Sequence, residues 1–380
     1  MKIKKLSNNI DAKKYLTELN VDSGGIKILS KKMSLHLYLI EDIHYAAANI
    51  LKQDALSIGA DLAVPKGVIT CSQERVNAIL IGSRKHMEIL SRKELAQPFG
   101  LKEIAKDLQQ LLKQVKINKP KIMGIINAND DSFYPNSRFK ESRALEAIYE
   151  MKSSGASIID IGGVSSRPGA PDVSSKDELM RVKPIIDSLY QQKMYEEIEL
   201  SIDSYSPNVI SYALERGFHI VNDITGLQND DVCELISTFK ATAVIMHMQG
   251  TPKIMQNSPS YKDVILEVDK FFGIQIEKAK YFGIKKIMLD VGIGFGKTLK
   301  HNLELLKHLE HFTHHGHEIL FGASRKSMIN EILKTPIEKR LSATLILHLK
   351  AVENGASVIR VHDVKEHVQM LSVHEALKLI

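Results

Sequence analysis

From Lys121 onward, short apolar runs alternate with longer stretches in which apolar residues recur at helical spacing. The runs are Lys121–Ile126, Ser157–Ile161, Ile198–Ile202, His219–Val221, Thr242–Met246, Lys286–Leu289, Glu318–Phe321 and Ser357–Val361. Near-continuous apolar character of this kind suits strands buried on both faces of a parallel sheet. Between them, Ser142–Ser153, Pro207–Glu215, Asp231–Phe239, Asp263–Ala279 and Leu341–Glu353 read as amphipathic helices, and Gly155, Gly217, Gly283 and Gly355 stand just past helix ends. Eight strands alternating with helices predict a (β/α)8 TIM barrel, which takes about 250 residues as one unit.

Residues 1–115 break that rhythm. His36–Ile40, Asp61–Val64 and Ala78–Ile81 read as strands, and Asp42–Leu56 and Leu101–Val115 as helices. The pattern is a small N-terminal α/β extension, with a seam at Lys116–Pro120 and the barrel domain over 116–380. Nothing in the extension forms a catalytic constellation, so its reading is structural or one of assembly.

In such a barrel the chemistry sits in the loops after the carboxyl ends of the strands. Strand one is followed by Asn127 and strand two by Gly162–Gly169; strand three ends at Asp203, strand four at Asn222-Asp223, strand five at His247-Met248-Gln249. Strand six gives Asp290 with Gly292, Gly294 and Gly296, strand seven Gly322 and Ser324–Ser327, strand eight Arg360, His362 and Asp363. Asp203 and Asp290 end apolar strands, and unpaired burial of a carboxylate is costly, so each needs a partner. Buried carboxylates and amides suit an aromatic heterocycle with amine and amide edges. Arg167, Lys326, Arg360 and His362 make the rim suited to phosphate or carboxylate.

Composition narrows the classes. Of 380 residues 44% are hydrophobic and 25% charged, ordinary for a globular chain. The formal charge of +6 is spread out, with short basic clusters such as Lys31-Lys32 and no tryptophan, which argues against nucleic-acid binding. No apolar run approaches the roughly 20 residues of a membrane span, and the basic start leads into no signal core, so the cytoplasm is expected. Two cysteines, Cys71 and Cys233, indicate neither a disulfide framework nor a thiolate metal site. The Gly292-x-Gly294-x-Gly296 spacing is wrong for a dinucleotide loop. His247 reads as a core or loop histidine and His362 as functional. The histidines around His308–His317 lie at a helix end without partner carboxylates and read as a solvated face.

At this point the rim motifs are recognisable. Asn127–Phe133, Asp160–Ala170, Ser201–Ser204, Asn222–Ile224, His247–Gly250, Asp290–Lys297, Ser324–Ser327 and Arg360–Asp363 follow in the order of the signatures they resemble, those of the dihydropteroate synthases. The resemblance runs from Lys121 to the C-terminus. It implies a transferase that joins a pterin pyrophosphate to p-aminobenzoate. The pterin would lie among Asp203, Asn222, Met246, Asp290, Phe295, Gly322, Lys326 and Arg360, with Asp203, Asp290, Lys326 and Arg360 carrying the chemistry. The pyrophosphate would meet Asn127, Arg167, Arg360 and His362, with Mg²⁺ on Asn127. p-Aminobenzoate would dock at Ser166, Arg167, Pro168 and Ser327, where sulfonamides would compete. The resemblance also implies a homodimer. Asn129-Asp130, Val164 and Val291 depart from the usual residues. Two rivals share the barrel: a pterin-dependent methyltransferase, which would need no Ser-Arg-Lys-Ser or Ser-Arg-Pro-Gly loop, and a non-catalytic pterin-binding paralogue, which the altered loops would suit.

Overall fold

Two short helices open the chain, α1 (Ala12–Glu18) and α2 (Ser23–Leu29), each started by an aspartate: Asp11 accepts from the Lys13 and Lys14 amides, Asp22 from that of Gly25. The computed structural model describes residues 3, 6, 10–112, 119–128, 137–164, 172–251 and 254–378, and resolves two compact units, Met1–Val115 and Lys116–Ile380. Most of the expected seam at Lys116–Pro120 lies outside the described residues.

The first unit holds β1 (Leu35–His44), α3 (Tyr45–Ser57), β2 (Asp61–Ala63), β3 (Arg75–Ser83), α4 (Arg84–Lys93) and α5 (Leu101–Leu112). The strands pair antiparallel in the order β1-β3-β2. Alternation along β3 buries Val76, Ala78 and Leu80, which join Leu51, Leu62, Met87, Leu90 and Leu101 in one core. The helix expected from Asp42 begins instead at Tyr45. The strand runs on through an irregularity between Ile40 and Ile43, where Asp42 takes φ +52° and its carbonyl accepts from Arg75. An aspartate tolerates that left-handed turn, so a bulge displaced the helix start. The helix α4 was not foreseen.

In the second unit eight parallel strands, β4 (Lys121–Asn127), β5 (Ile158–Gly162), β6 (Glu199–Asp203), β7 (Ile220–Asp223), β8 (Thr242–Met246), β9 (Lys286–Asp290), β10 (Glu318–Phe321) and β11 (Val358–Val361), close into a barrel. Around them run α6 (Ser137–Ser153), α7 (Ser175–Gln191), α8 (Pro207–Leu214), α9 (Asp230–Phe239), α10 (Val264–Tyr281), α11 (Leu299–Lys307), α12 (Ser327–Leu333), α13 (Leu341–Glu353) and α14 (Val364–Lys378). The closing glycines Gly155, Gly217, Gly283 and Gly355 all have positive φ. Among the described residues, no helix is long and apolar enough to cross a membrane.

Successive side chains on a strand point to opposite faces, and the barrel uses this to separate two cores. One set, including Ile159, Ile161, Leu200, Ile202, Val221, Ile245 and Leu289, packs outward with the helices. The other set, Met123, Ile158, Ile220, Val244, Met288, Leu320 and Val358, forms a separate inner cluster. That cluster is a dry floor. Two residues further along five of its strands come Asp160, Asn222, Met246, Asp290 and Arg360, and on β10 the chain places Gly322. The same period that fills the floor therefore aims the polar residues up the barrel's axis.

Ile158→Ala should destabilise the chain by about 2–5 kcal/mol, because the floor cannot collapse into the space left. Ile346→Ala, on the outer face of α13 and 69% exposed, should stay within about 0.5 kcal/mol. Urea unfolding measures both, and equal midpoints for the two variants would contradict the floor.

Candidate active site

Arg360, on β11, organises the carboxyl end of the barrel. Its Nε donates to Asp160 Oδ2 at 2.6 Å and its terminal Nη2 to Asp203 Oδ2 at 2.6 Å. Asp160 is fully buried and also accepts from Ser201 Oγ (2.6 Å) and Asn222 Nδ2 (3.0 Å). One cation thus sits between two carboxylates. Burial opposes the Arg360 charge, but Asp160 and Asp203 more than offset it and raise its pKa. Burial also pushes the Asp203 carboxyl up to about 7; Arg360 opposes this, and Asp160 and Glu178 add to it. The two directions agree physically, because the guanidinium is held by both anions while Asp203 has only a share of it.

Asp290 is the second carboxylate of the mouth. Its Oδ1 accepts from the Gly292 amide at 2.8 Å. Burial raises its pKa, and Lys326, the Gly292 N–H and Arg360 counter the rise. Lys326 Nζ donates to the Ile293 carbonyl and lies 4.8 Å from the centre of the Phe295 ring. Burial, partly offset by Asp290, brings Lys326 down to about 8. Behind it, Lys297 is buried, donating to His247 Nδ1 (2.9 Å), the His247 carbonyl (3.1 Å) and the Phe295 carbonyl (3.0 Å). Burial brings Lys297 to about 7 and, with Lys297 beside it, His247 to about 3. His247 is therefore a neutral acceptor, in keeping with its reading as a packed loop histidine.

Two loops are pinned by backbone geometry. Gly292 has φ +68°, and a Cβ there would lie 1.9 Å from the His247 carbonyl oxygen. Gly296 has φ +64° and would meet the Gln249 carbonyl oxygen at 2.5 Å. Only glycine lets the loop after β9 lie this close to the loop after β8. The loop after β10 is fastened from its far side. Arg325 forks onto Asp363 (Nε to Oδ2 2.9 Å, Nη2 to Oδ1 2.7 Å). The Ala323 amide donates to His348 Nε2 at 3.0 Å, so the neutral ring carries its proton on Nδ1 and donates to His367 Nε2 at 2.8 Å. His367 Nδ1 in turn donates to the Asp363 carbonyl. Burial holds both imidazoles below the ordinary value. Of the Ser324–Ser327 run, then, Lys326 faces the barrel mouth and Arg325 is spent on the scaffold.

The structure gathers Asp203, Asn222, Met246, Asp290, Phe295, Gly322, Lys326 and Arg360 at one end of the barrel. Asn127, Gly162, Asp203 and Asn222 are successive cross-strand partners there. A Cβ on Gly322 would lie 3.6 Å from that of Arg360, an ordinary contact distance, so the two positions are neighbours at the mouth. His362 is held by Ser324, with Nδ1 2.9 Å from Oγ. Ser327 is exposed at the first position of α12. Ser166, Arg167 and Pro168, like Asn129–Phe133, lie outside the described residues. Sequence reasoning missed three residues. Asp160 carried a signal, since it stands two places after the inward Ile158. Lys297 closes the Asp290–Lys297 motif but was given no role there, and Glu178, which is buried with its pKa raised by burial, carried no signal because it lies on α7, away from the strand ends.

This fold and this mouth of paired carboxylates and cations define a barrel enzyme for a polar heterocycle. The profile of the pterin binding enzyme family matches residues 123–362. A bifunctional dihydropteroate synthase/dihydropteroate reductase of Helicobacter pylori is 41% identical over 342 residues, 90% of this chain and 90% of that protein. The dihydropteroate synthase of Escherichia coli is 41% identical over 265 residues, 68% of this chain and 92% of that one. Among solved structures, the Yersinia pestis dihydropteroate synthase with a sulfonamide drug superposes with a TM-score of 0.65 at 39% identity, covering 70% of this chain and 97% of that one. The chain belongs to the pterin-binding enzymes and, within them, to the dihydropteroate synthase family.

Asp160→Ala should cost about 3–5 kcal/mol of stability, since it leaves Arg360 half compensated and strips Asn222 and Ser201 of their acceptor. Chemical denaturation reads this directly, and a loss below about 1 kcal/mol would mean that Asp160 is no hub.

Proposed function

We propose that the barrel unit condenses 6-hydroxymethyl-7,8-dihydropterin pyrophosphate with p-aminobenzoate, giving 7,8-dihydropteroate and pyrophosphate, a step of folate biosynthesis. The observation that carries this is the layer of Asp203, Asn222, Asp290, Lys326 and Arg360 above a dry floor. It stands in a chain that matches a synthase relative over 92% of that relative's length. The pterin's amine and amide edges would be read by Asp203, Asn222 and Asp290, while Met246, Phe295, Gly322 and the guanidinium plane of Arg360 pack around the ring. Pyrophosphate would meet Asn127, Arg360 and His362, joined by Arg167. p-Aminobenzoate would dock at Ser166, Arg167, Pro168 and Ser327, where sulfonamides compete for its place.

Breaking the C–O bond to pyrophosphate leaves positive charge on the carbon attached to the pterin ring. Asp203 and Asp290 favour that charge, and Arg360 stabilises the departing anion. The aniline nitrogen, already neutral, forms the new C–N bond and then sheds a proton, so no strong base is needed. Among the described residues, no set of three acidic or histidine ligands gathers at the barrel mouth. That suits Mg²⁺, which would take Asn127 and draw its other ligands from pyrophosphate and water. When bound, it would neutralise part of the pyrophosphate charge. A cytoplasmic homodimer completes the reading.

Pyrophosphate release should require p-aminobenzoate and Mg²⁺, and excess chelator should abolish it. Asp203→Ala and Asp290→Ala should each weaken pterin binding by about 1.5–3 kcal/mol in calorimetry. Turnover should also be bell-shaped in pH. Asp203, at about 7, must lose its proton to accept from the pterin, and Lys326, at about 8, must keep its own. Activity therefore rises through about pH 7 and falls above about 8. A profile flat from 6 to 9, within about twofold, would refute those roles.

One observation favours a second activity. The match to the bifunctional Helicobacter pylori protein spans 342 residues, more than the barrel unit Lys116–Ile380 contains, so it reaches well into the first unit. We infer that the whole chain also reduces dihydropteroate, with Met1–Val115 needed for that step. The full chain should consume dihydropteroate when given a nicotinamide or reduced-flavin hydride donor. A chain begun at Ile117 should keep synthase turnover and lose the reduction. Reduction at an equal rate by both chains would remove the first unit from the reaction.

A further inference from the structure

A second cluster of ionisable groups lies outside the barrel mouth, on the helical layer. Asp269, on α10, turns its Oδ1 toward the 3₁₀ segment Leu309–His315 that precedes β10. His314 Nε2 lies 2.7 Å from that oxygen, His315 Nε2 2.9 Å and His311 Nε2 3.3 Å. A 3₁₀ helix turns once every three residues, so His311 and His314 stand on the same side. The histidines that sequence alone assigned to a solvated face thus acquire a carboxylate from a helix some forty residues earlier.

The cluster is overcommitted as a set of hydrogen bonds. Three imidazoles converge on one oxygen with two lone pairs, and the third, His311 Nε2, is buried without a hydrogen-bond partner. Burial works against the Asp269 charge, yet the imidazoles around it hold its carboxyl well below the usual range. The site therefore presents a fixed anion beside three aromatic nitrogens, one of which is left without a hydrogen bond.

We propose that Asp269, His311 and His314 bind a divalent transition-metal ion of the zinc class, with His315 orienting the carboxylate. The ligand atoms of these three residues all lie within 4.8 Å of one another. Tetrahedral zinc, with bonds of about 2.0–2.1 Å, sets its ligand atoms about 3.3 Å apart. His311 already stands at that distance from Oδ1, and His314 lies about 0.6 Å inside it. An ion replaces the crowded protons: both Nε2 atoms give it their lone pairs, and Oδ1 gives one while accepting from His315 with the other. Two imidazoles and a carboxylate select Zn²⁺, Co²⁺ or Ni²⁺ over Mg²⁺, so this site and the one at Asn127 take different ions. The side chain of His314 is 40% exposed, which gives the ion a way in from solvent and leaves the fourth position to water. The bound ion would staple α10 to the turn before β10.

The test uses the full chain, tag-free and stripped with chelator, titrated with Co²⁺ and then Zn²⁺. One ion per chain should bind with visible ligand-field absorption, excess Mg²⁺ should not displace it, and Zn²⁺ should raise the Tm. His314→Ala and Asp269→Asn should abolish the signal and the Tm shift, and His315→Ala should weaken Zn²⁺ about tenfold or more. Synthase turnover in Mg²⁺ should be unchanged in His314→Ala. If Asp269→Asn fails to fold, the exposed His314→Ala decides alone. Absence of a stoichiometric ion, or full binding retained in His314→Ala, would overturn the proposal.

Discussion

Everything at the barrel mouth depends on how one guanidinium is shared. Arg360 must leave water to reach Asp160 and Asp203, and a buried ion network repays its desolvation only when every lone pair is used. Asp160 meets that demand with Ser201 and Asn222 as further donors. Asp203 does not. Its Oδ2 takes Arg360 alone, and burial, only partly opposed by that arginine, raises its carboxyl toward neutrality. The network is thus complete at its base and short of partners at its top. Under the proposed function, a heterocycle offering N–H groups would supply what Asp203 lacks, so binding would complete a network the fold leaves unfinished.

That division rests on the floor beneath it. Met123, Ile158, Ile220, Val244, Met288, Leu320 and Val358 exclude water from below and contribute the hydrophobic stabilisation a charged layer cannot. Because the strand period is two, the floor and the polar layer are coupled: shifting one strand by a residue would send Asp160 into the outer core and an isoleucine into the site. The placement of each charge follows from the registers of the barrel rather than from its loops. Lys326 and Lys297 are the exceptions, and both are held by the tightly wound glycine loop after β9 and the fastened loop after β10.

What the sequence revealed follows the same line. Strand positions were legible because both faces are apolar, and the polar residues closing those runs marked Asp203, Asn222 and Asp290 as rim residues. Asp160 was legible in principle but hidden, since it interrupts an apolar run without ending it. Residues whose roles come from distant partners were not readable. Asp42 is an example, holding a bulge through Arg75 on another strand, and Asp269 is another, because nothing in its helix points to histidines in a turn beyond the next strand. The p-aminobenzoate loop at Ser166–Pro168 was read from motif resemblance alone and lies outside the described residues.

The charge pattern of the mouth suits the proposed chemistry. A carbon that turns cationic as an anion leaves needs negative groups on the ring side and positive groups on the leaving side, and these must not collapse onto each other beforehand. In this chain the two lysines are held off the carboxylates by prior engagements, while Arg360 divides itself between Asp160 and Asp203. Lys297 is anchored to His247 and two carbonyls, close enough to steady Asp290 without bonding it. Lys326 is held by the Ile293 carbonyl over the Phe295 ring. Arg360 is anchored below by Asp160, so only one edge of its guanidinium is committed to Asp203. Each cation is positioned by contacts within the protein, which would leave Asp203 Oδ1 and Asp290 able to accept from the proposed substrate. Preorganisation of this kind lets the site stabilise separated charge without rearranging when the bond breaks.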